Sequence, residues 1–301
     1  MTVLNEKAAL IGVTASTWIA TKKSREGTNG TADLFATSAR WVMTSTRLVE
    51  KSVIQEPKKI IAAARHYLAG KSVGPADGKW LSGGLSPWDG RGRHILPNVL
   101  NEQVTRNLGE FQSQFTDAVD RLRAALPTAI DKARAENPKL FNASDYGTIE
   151  SIIARFSFEI ERDLIPDAGD LRVEASREYV DHLKSEIEGR STRKLEEVTS
   201  NVIATVIEVC KHFADKCEGY DPEKRGSAPF RDATVNKVRD LINTIPALNI
   251  NGDARIDKAR QDLIAAVGNK SATQLREDDD VREDAAAKAR AVADNISNLF
   301  D

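Results

Sequence analysis

The sequence predicts a mainly α-helical protein with a small antiparallel β-sheet, an α+β fold whose C-terminal half forms a long helical hairpin or coiled-coil arm. Three observations predict it. Leu100, Val104, Leu108, Phe111, Phe115, Val119, Leu122 and Leu126 step by fours and threes, the spacing of one apolar helix face. A second stripe, Leu183, Ile187, Leu195, Val198, Val202, Val206, Val209 and Phe213, extends over about ten turns, longer than an ordinary globular helix. Between Arg155 and Arg162 the residues Phe156, Phe158 and Ile160 alternate with Ser157, Glu159 and Glu161, the period of a half-buried strand.

The remaining elements follow in order. Residues 8 to 19 are apolar and β-branched without a helical stripe, and read as a strand, an edge or hairpin arm, followed by a turn at Glu26 to Gly30. Asp33 is placed to cap a helix bearing Leu34, Trp41, Val42, Ser45, Leu48 and Val49, and Pro57 to open another through Ile60, Ile61, Ala64 and Leu68. The long helix that begins near Leu100 is expected to break near Pro127. Leu171 to Val173 reads as a second short strand, joined to the first by a turn at Pro166 and Gly169, and both pair with residues 8 to 19 in a small sheet. Helix resumes at Ser176, weakened at Gly189, broken at Gly219 to Pro229 and turned at Pro246 to Asp253. The organisation read from this is a domain over 1–175 and a helical arm with C-terminal helices over 176–301.

Composition narrows the function classes. A chain of 301 residues with 41% hydrophobic and 6% aromatic residues builds a mainly aliphatic core. No run approaches the roughly 18 apolar residues of a membrane span, and Glu6 and Lys7 interrupt the place where a secretory leader would be apolar. A cytoplasmic protein without membrane contact is expected. Cys210 and Cys217 lie on one helix, too far apart to bridge. The net charge of −2 conceals polarity: residues 1–140 carry 20 Lys and Arg against 13 Asp and Glu, and residues 141–301 carry 23 against 32. That polarity fits a basic face for nucleic acid, head-to-tail self-association, or ordinary solvated helix faces.

No catalytic constellation emerges. His66, His94, His182 and His212 lack the spacing of a helical metal site, no phosphate-binding glycine loop is complete, and Ser82 and Ser86 lack the context of a nucleophile elbow. Asp167 and Asp170 near Glu159 and Glu161, and the run Asp278 to Asp280, show no order of cation ligands. A non-enzymatic protein without a cofactor or metal is expected.

The segment Gly70 to Pro97 is the candidate site. It holds seven of the eighteen glycines and two of the four tryptophans, and long irregular loops of such material are usually functional. Trp80 and Trp88 supply flat apolar faces, and Lys71, Lys79, Arg91, Arg93 and His94 supply positive charge, with Asp89 among them. Aromatics beside cations suit single-stranded nucleic acid, and Trp with Arg equally suits a protein hot spot. A third reading has Trp88 plugging a core and Asp89 pairing with Arg91 or Arg93.

Pro87, Trp88, Asp89, Gly90, Arg93, Leu96 and Pro97, followed by Asp145, Tyr146, Phe156, Pro166, Asp167 and Asp170, resemble the pattern of an uncharacterised family encoded mainly by tailed bacteriophages. The resemblance covers roughly residues 10 to 175, with Gly147 where the family has proline and a longer loop before Trp88. It implies no established activity. It does imply a phage protein in a bacterial host cell, an accessory or substrate of a remodelling machine of MoxR-type AAA+ ATPase and von Willebrand factor A (cobalt-chelatase-like) proteins, or a factor of phage DNA metabolism. The expected role is a self-associating interaction protein that engages its partner through residues 85–97, with single-stranded DNA binding as the alternative.

Overall fold

The computed structural model describes residues 3–170, 176–221 and 230–298. In chain order the elements are α1 (Val3–Lys7), β1 (Ala8–Ser16), β2 (Thr21–Ser24), α2 (Arg25–Leu34), β3 (Thr44–Arg47), α3 (Gln55–Leu68), β4 (Arg93–Pro97), α4 (Asn101–Glu136), α5 (Ile149–Ile153) and β5 (Ser157–Asp163). The helices α6 (Arg177–Glu218), α7 (Asp232–Leu248), α8 (Ala254–Leu263), α9 (Ala272–Glu277) and α10 (Asp279–Ser297) complete the chain, with a π turn after α8. The α+β class holds, and β1 and β5 fall on the segments that alternation and β-branching mark.

β1 is the centre of a three-stranded sheet of order β4-β1-β5, and pairs antiparallel with β4 from Ala8 opposite Pro97 to Gly12 opposite Arg93. A central strand is covered on both faces, which is why Leu10, Ile11 and Val13 are all buried and no polar alternation is visible. β5 joins β1 as the sequence suggests. The third partner is β4, the end of the glycine-rich segment, while the expected strand at 171–173 lies outside the described residues.

The chain divides into two compact units that interleave in sequence: Met1–Gly12, His66–Asn107 and Glu161–Asp301 form one, and Val13–Arg65 with Leu108–Ile160 the other. The expected cut after residue 175 falls at a stretch outside the described residues. In the first unit α6 packs against α7, α8 and α10, burying Val198, Val202, Val206, Val209, Phe213 and Cys217. Ahead of Ser191 no α6 side chain is buried, and the apolar positions Leu183 and Ile187 are only half-buried. Ser176 caps this helix by accepting from the Tyr179 amide. Ser271 and Gln274 close a capping box on α9, and Asp278 caps α10.

In the second unit Phe115 and Phe158 meet at 5.5 Å between ring centroids, and buried Tyr146 donates its hydroxyl to the Leu48 carbonyl at 2.7 Å. Gln112 donates to the Phe158 carbonyl, and Arg121 pairs with Glu56.

Three expectations are corrected. Glu26 to Gly30 is not a turn but lies inside α2, where Ser24 accepts from the Gly27 amide and starts the helix. The helix expected after Asp33 does not form. Its Thr44, Ser45 and Thr46 pair in β3, and Leu34 and Trp41 stay exposed because no apolar surface lies beneath such a face. α4 does not end near Pro127 but continues to Glu136. The proline forfeits one hydrogen bond and crowds the preceding turn, about 3 kcal/mol, while burial of Leu122 and Leu126 contributes roughly 1.5–3 kcal/mol each and keeps the helix intact.

Candidate interaction site

The glycine-rich segment closes on itself through backbone. Gly70 and Gly84 both have positive φ, +70° and +65°, and approach so closely that a Cβ on either would stand 2.4 Å from the main chain of the other strand of the loop. The Leu85 amide then donates to the Leu68 carbonyl at 2.7 Å, fixing the loop to the end of α3. Asn107, fully buried, fills the place a Gly74 side chain would need; it accepts from the Ala76 amide and donates to the Tyr67 hydroxyl and the Gln103 carbonyl. The Trp88 amide donates to the Arg93 carbonyl and the Ile95 amide to the Ser86 carbonyl, which turns Leu85–Pro97 into a narrow antiparallel ribbon bridged at Pro87 and His94.

This closure carries Trp88 inward. Its side chain is 3% exposed and packs in one cluster with Leu4, Ala8, Leu10, Ile95, Ile165, Val198 and Ile250, with the Arg190 guanidinium 4.7 Å from the ring. Asp89 accepts from the amides of Arg91 and Arg93 and from the Arg93 guanidinium, which also reaches Asp163 at 3.1 Å. Burial would raise the Asp89 pKa, but the Arg93 guanidinium and the two amides outweigh it and hold the carboxyl below its ordinary range. Burial lowers the His94 pKa despite the Gly92 backbone and the Asp89 charge, so the imidazole is neutral at pH 7.

The expected contact surface at 85–97 is therefore corrected. Trp88 is core, Asp89 and Arg93 form an internal pair, and His94 is half-buried and uncharged. Trp80 is partly buried and its amide donates to Asp240 of α7. Lys71, Lys79 and Arg91 do reach solvent. The acidic groups behave likewise. Asp167 accepts from the Gly169 amide and Asn5 and has a lowered pKa for those reasons, and among the described residues no group of three or more His, Cys, Asp or Glu is placed to hold a metal. Cys210 and Cys217 are buried, which pushes both thiols up to about 12.

The exposed aromatic and basic surface lies elsewhere, on residues 19–47 of the second unit. β2 and β3 pair from Thr21 opposite Arg47 to Ser24 opposite Thr44, and neither strand has a buried residue. Polar contacts hold this two-stranded arm to α2: Thr28 donates to the Ser24 carbonyl at 2.7 Å, and the Thr44 amide donates to the Thr28 hydroxyl. A Cβ on Gly27 would stand 2.7 Å from the Thr44 hydroxyl, so the approach depends on glycine. Only Ala32 of α2 is buried. Ile19, Leu34, Phe35, Trp41 and Met43 are 70–77% exposed, and five cations, Lys22, Lys23, Arg25, Arg40 and Arg47, stand against Glu26 and Asp33. Arg40 lies 5.4 Å from the Trp41 ring, and Lys22 pairs with Asp145.

Beside the arm, Lys23, Arg25, Lys139 and Phe141 line an open cleft of about 850 Å³. Sequence reading placed Leu34 and Trp41 on a buried helix face and so missed this surface. The signal that marks it is the run Thr44 to Thr46, which favours a strand and leaves those apolar side chains without a core. Among the described residues no helix is long and apolar enough to cross a membrane. Comparison with protein-family models, curated proteins and solved structures finds no match in any of the three.

Proposed function

We propose that this chain is a non-enzymatic interaction protein that associates with copies of itself through the 19–47 arm rather than through the 85–97 loop. One observation carries the reading: five large apolar side chains, each at least 70% exposed, are concentrated on one polar-stapled arm. Scattered exposed apolar residues need no explanation, but a local concentration of them on a basic background is the composition of a protein contact. The AAA+ or von Willebrand factor A partner implied by the family resemblance belongs to the same reading, as a second protein met on this surface.

Sedimentation velocity of the full chain tests it. The mass should rise above the 33.0 kDa monomer with concentration, and Trp41→Ser with Met43→Ser should return it to the monomer while the circular dichroism is unchanged. Unaltered association in that variant rejects the arm. A second reading, single-stranded DNA binding, is favoured by Lys23, Arg25 and Lys139, which have no ion-pair partner among the described residues and line the cleft beside Phe141. Salt separates the two. DNA binding collapses as ionic strength rises, whereas an apolar contact persists at 1 M salt, where screening acts within about 3 Å.

A further inference from the structure

The first unit holds an apolar cleft. It opens between α8 and α10, has a volume of about 280 Å³, and is lined by Ala254, Ala259, Val292 and Ile296, with Arg255, Lys258, Asp262 and Asn295 at its rim. The rim charges are paired among themselves or with neighbours, Arg255 with Asp253 and Lys258 with Asp262, leaving the walls themselves without a polar group to satisfy. An apolar cavity of about 150 Å³ suffices for a benzene ring, so this one has room for an indole.

We infer that the cleft between α8 and α10 receives Trp41 from the arm of a second copy of this chain. Two features of the molecule select that occupant. Trp41 is the largest apolar side chain left in solvent, and tryptophan is the residue most enriched where a single side chain anchors an interface. The charges also match: the unit bearing the arm holds 15 Lys and Arg against 12 Asp and Glu, and the unit bearing the cleft 28 against 33. The contact is heterologous, since donor and acceptor surfaces differ, so a bound pair still offers one unused arm on one copy and one unused cleft on the other. Such contacts close into rings or extend as chains.

The inference rests on the reading that copies associate through the arm, and a mixing experiment separates the two. Trp41→Ser removes the knob and keeps the cleft. Ala254→Trp, at an exposed position of the cleft lining, fills the cleft and keeps the knob. Each variant alone should sediment as a monomer, with its association weakened at least about thirtyfold. An equimolar mixture should give a dimer that grows no further, because the one productive contact joins an intact arm to an intact cleft. Trp41 fluorescence in the Ala254→Trp partner should shift to the blue on mixing. If Ala254→Trp still associates by itself, the cleft is not the receptor and the inference fails while the arm stands. If Trp41→Ser still associates by itself, the arm reading fails as well. A wild-type chain that remains a monomer with and without single-stranded DNA overturns both.

Discussion

Residues 70–97 and residues 19–47 are built from the same materials, tryptophan, arginine, lysine and glycine, and the fold uses them in opposite ways. In the first region the rings turn inward and the guanidinium of Arg93 is neutralised between Asp89 and Asp163. In the second the rings stay in water and, among the described residues, Lys22 alone of the five cations has an acidic partner. Two local differences account for it. The 70–97 segment contains a pair of glycines that let main chain meet main chain, and it carries an aspartate four residues before its arginine. Residues 19–47 have neither. Their close approach, Gly27 to Thr44, joins polar hydroxyls, and it fastens the arm to α2 without creating an apolar pocket for Trp41 to enter.

Truncating the two tryptophans gives the sharpest test of that contrast. Trp88→Ala should destabilise the protein by about 3–5 kcal/mol, because it removes a buried ring and leaves a cavity among Leu10, Ile95, Val198 and their neighbours. Trp41→Ala should change stability by less than about 0.5 kcal/mol. Urea unfolding measures both, and similar losses at the two sites would break the comparison. The same variants dissociate folding from association, since only the Trp41 change is expected to alter the sedimenting mass.

Gly84→Ala comes next, at about 2–4 kcal/mol, since the new methyl would press on the Ala69 main chain at a position whose positive φ already disfavours alanine. Gly78→Ala supplies the control. Gly78 has φ +65° but open space around it, so only the conformational part, about 1 kcal/mol, should remain. A small loss at Gly84 would show that the loop yields, and that Trp88 is not held inward by backbone closure.

Much of the fold was legible because periodicity reports burial directly. The stripe from Leu100 to Leu126 and the alternation at Phe156 to Ile160 each describe one covered face, and each became the element it implied. β4 was hidden because Arg93 to Pro97 is too short to show a period and its pairing partner, β1, lies more than 80 residues earlier in the chain. The inward course of Trp88 was hidden for a related reason. Whether an aromatic in a loop is contact surface or core depends on distant residues such as Leu4, Val198 and Ile250, and composition within the loop carries no trace of them. The pairing of Asp89 with Arg93 was readable at its spacing, as one of three alternatives, and the carboxylate was the part of the motif that pointed inward.

The Asp89 carboxylate gives the same contrast a pH dependence. Its folded pKa lies below the unfolded value near 3.8, so the stabilisation it supplies is fully present above that value and is lost as the pH falls through the lowered folded pKa. Asp89→Asn should therefore flatten the acid limb of the stability profile and cost about 1–3 kcal/mol at pH 7 through the weakened Arg93 contact. Thermal unfolding across the acid range checks it, and an unchanged acid limb would mean that the pair does not fasten the loop.

The smallest expected effect lies on the arm itself. Ala36, just past the end of α2, has φ +49°, a left-handed conformation that costs an alanine about 1 kcal/mol and a glycine almost nothing. Ala36→Gly should thus stabilise the protein by about 0.5 kcal/mol or less, because the relief in the folded chain is partly offset by the greater freedom of glycine in the unfolded one. A gain in stability accompanied by unchanged association would mean that the strained residue merely ends the helix. A gain accompanied by weaker association would show that Ala36 fixes the direction in which Phe35 and Trp41 are presented.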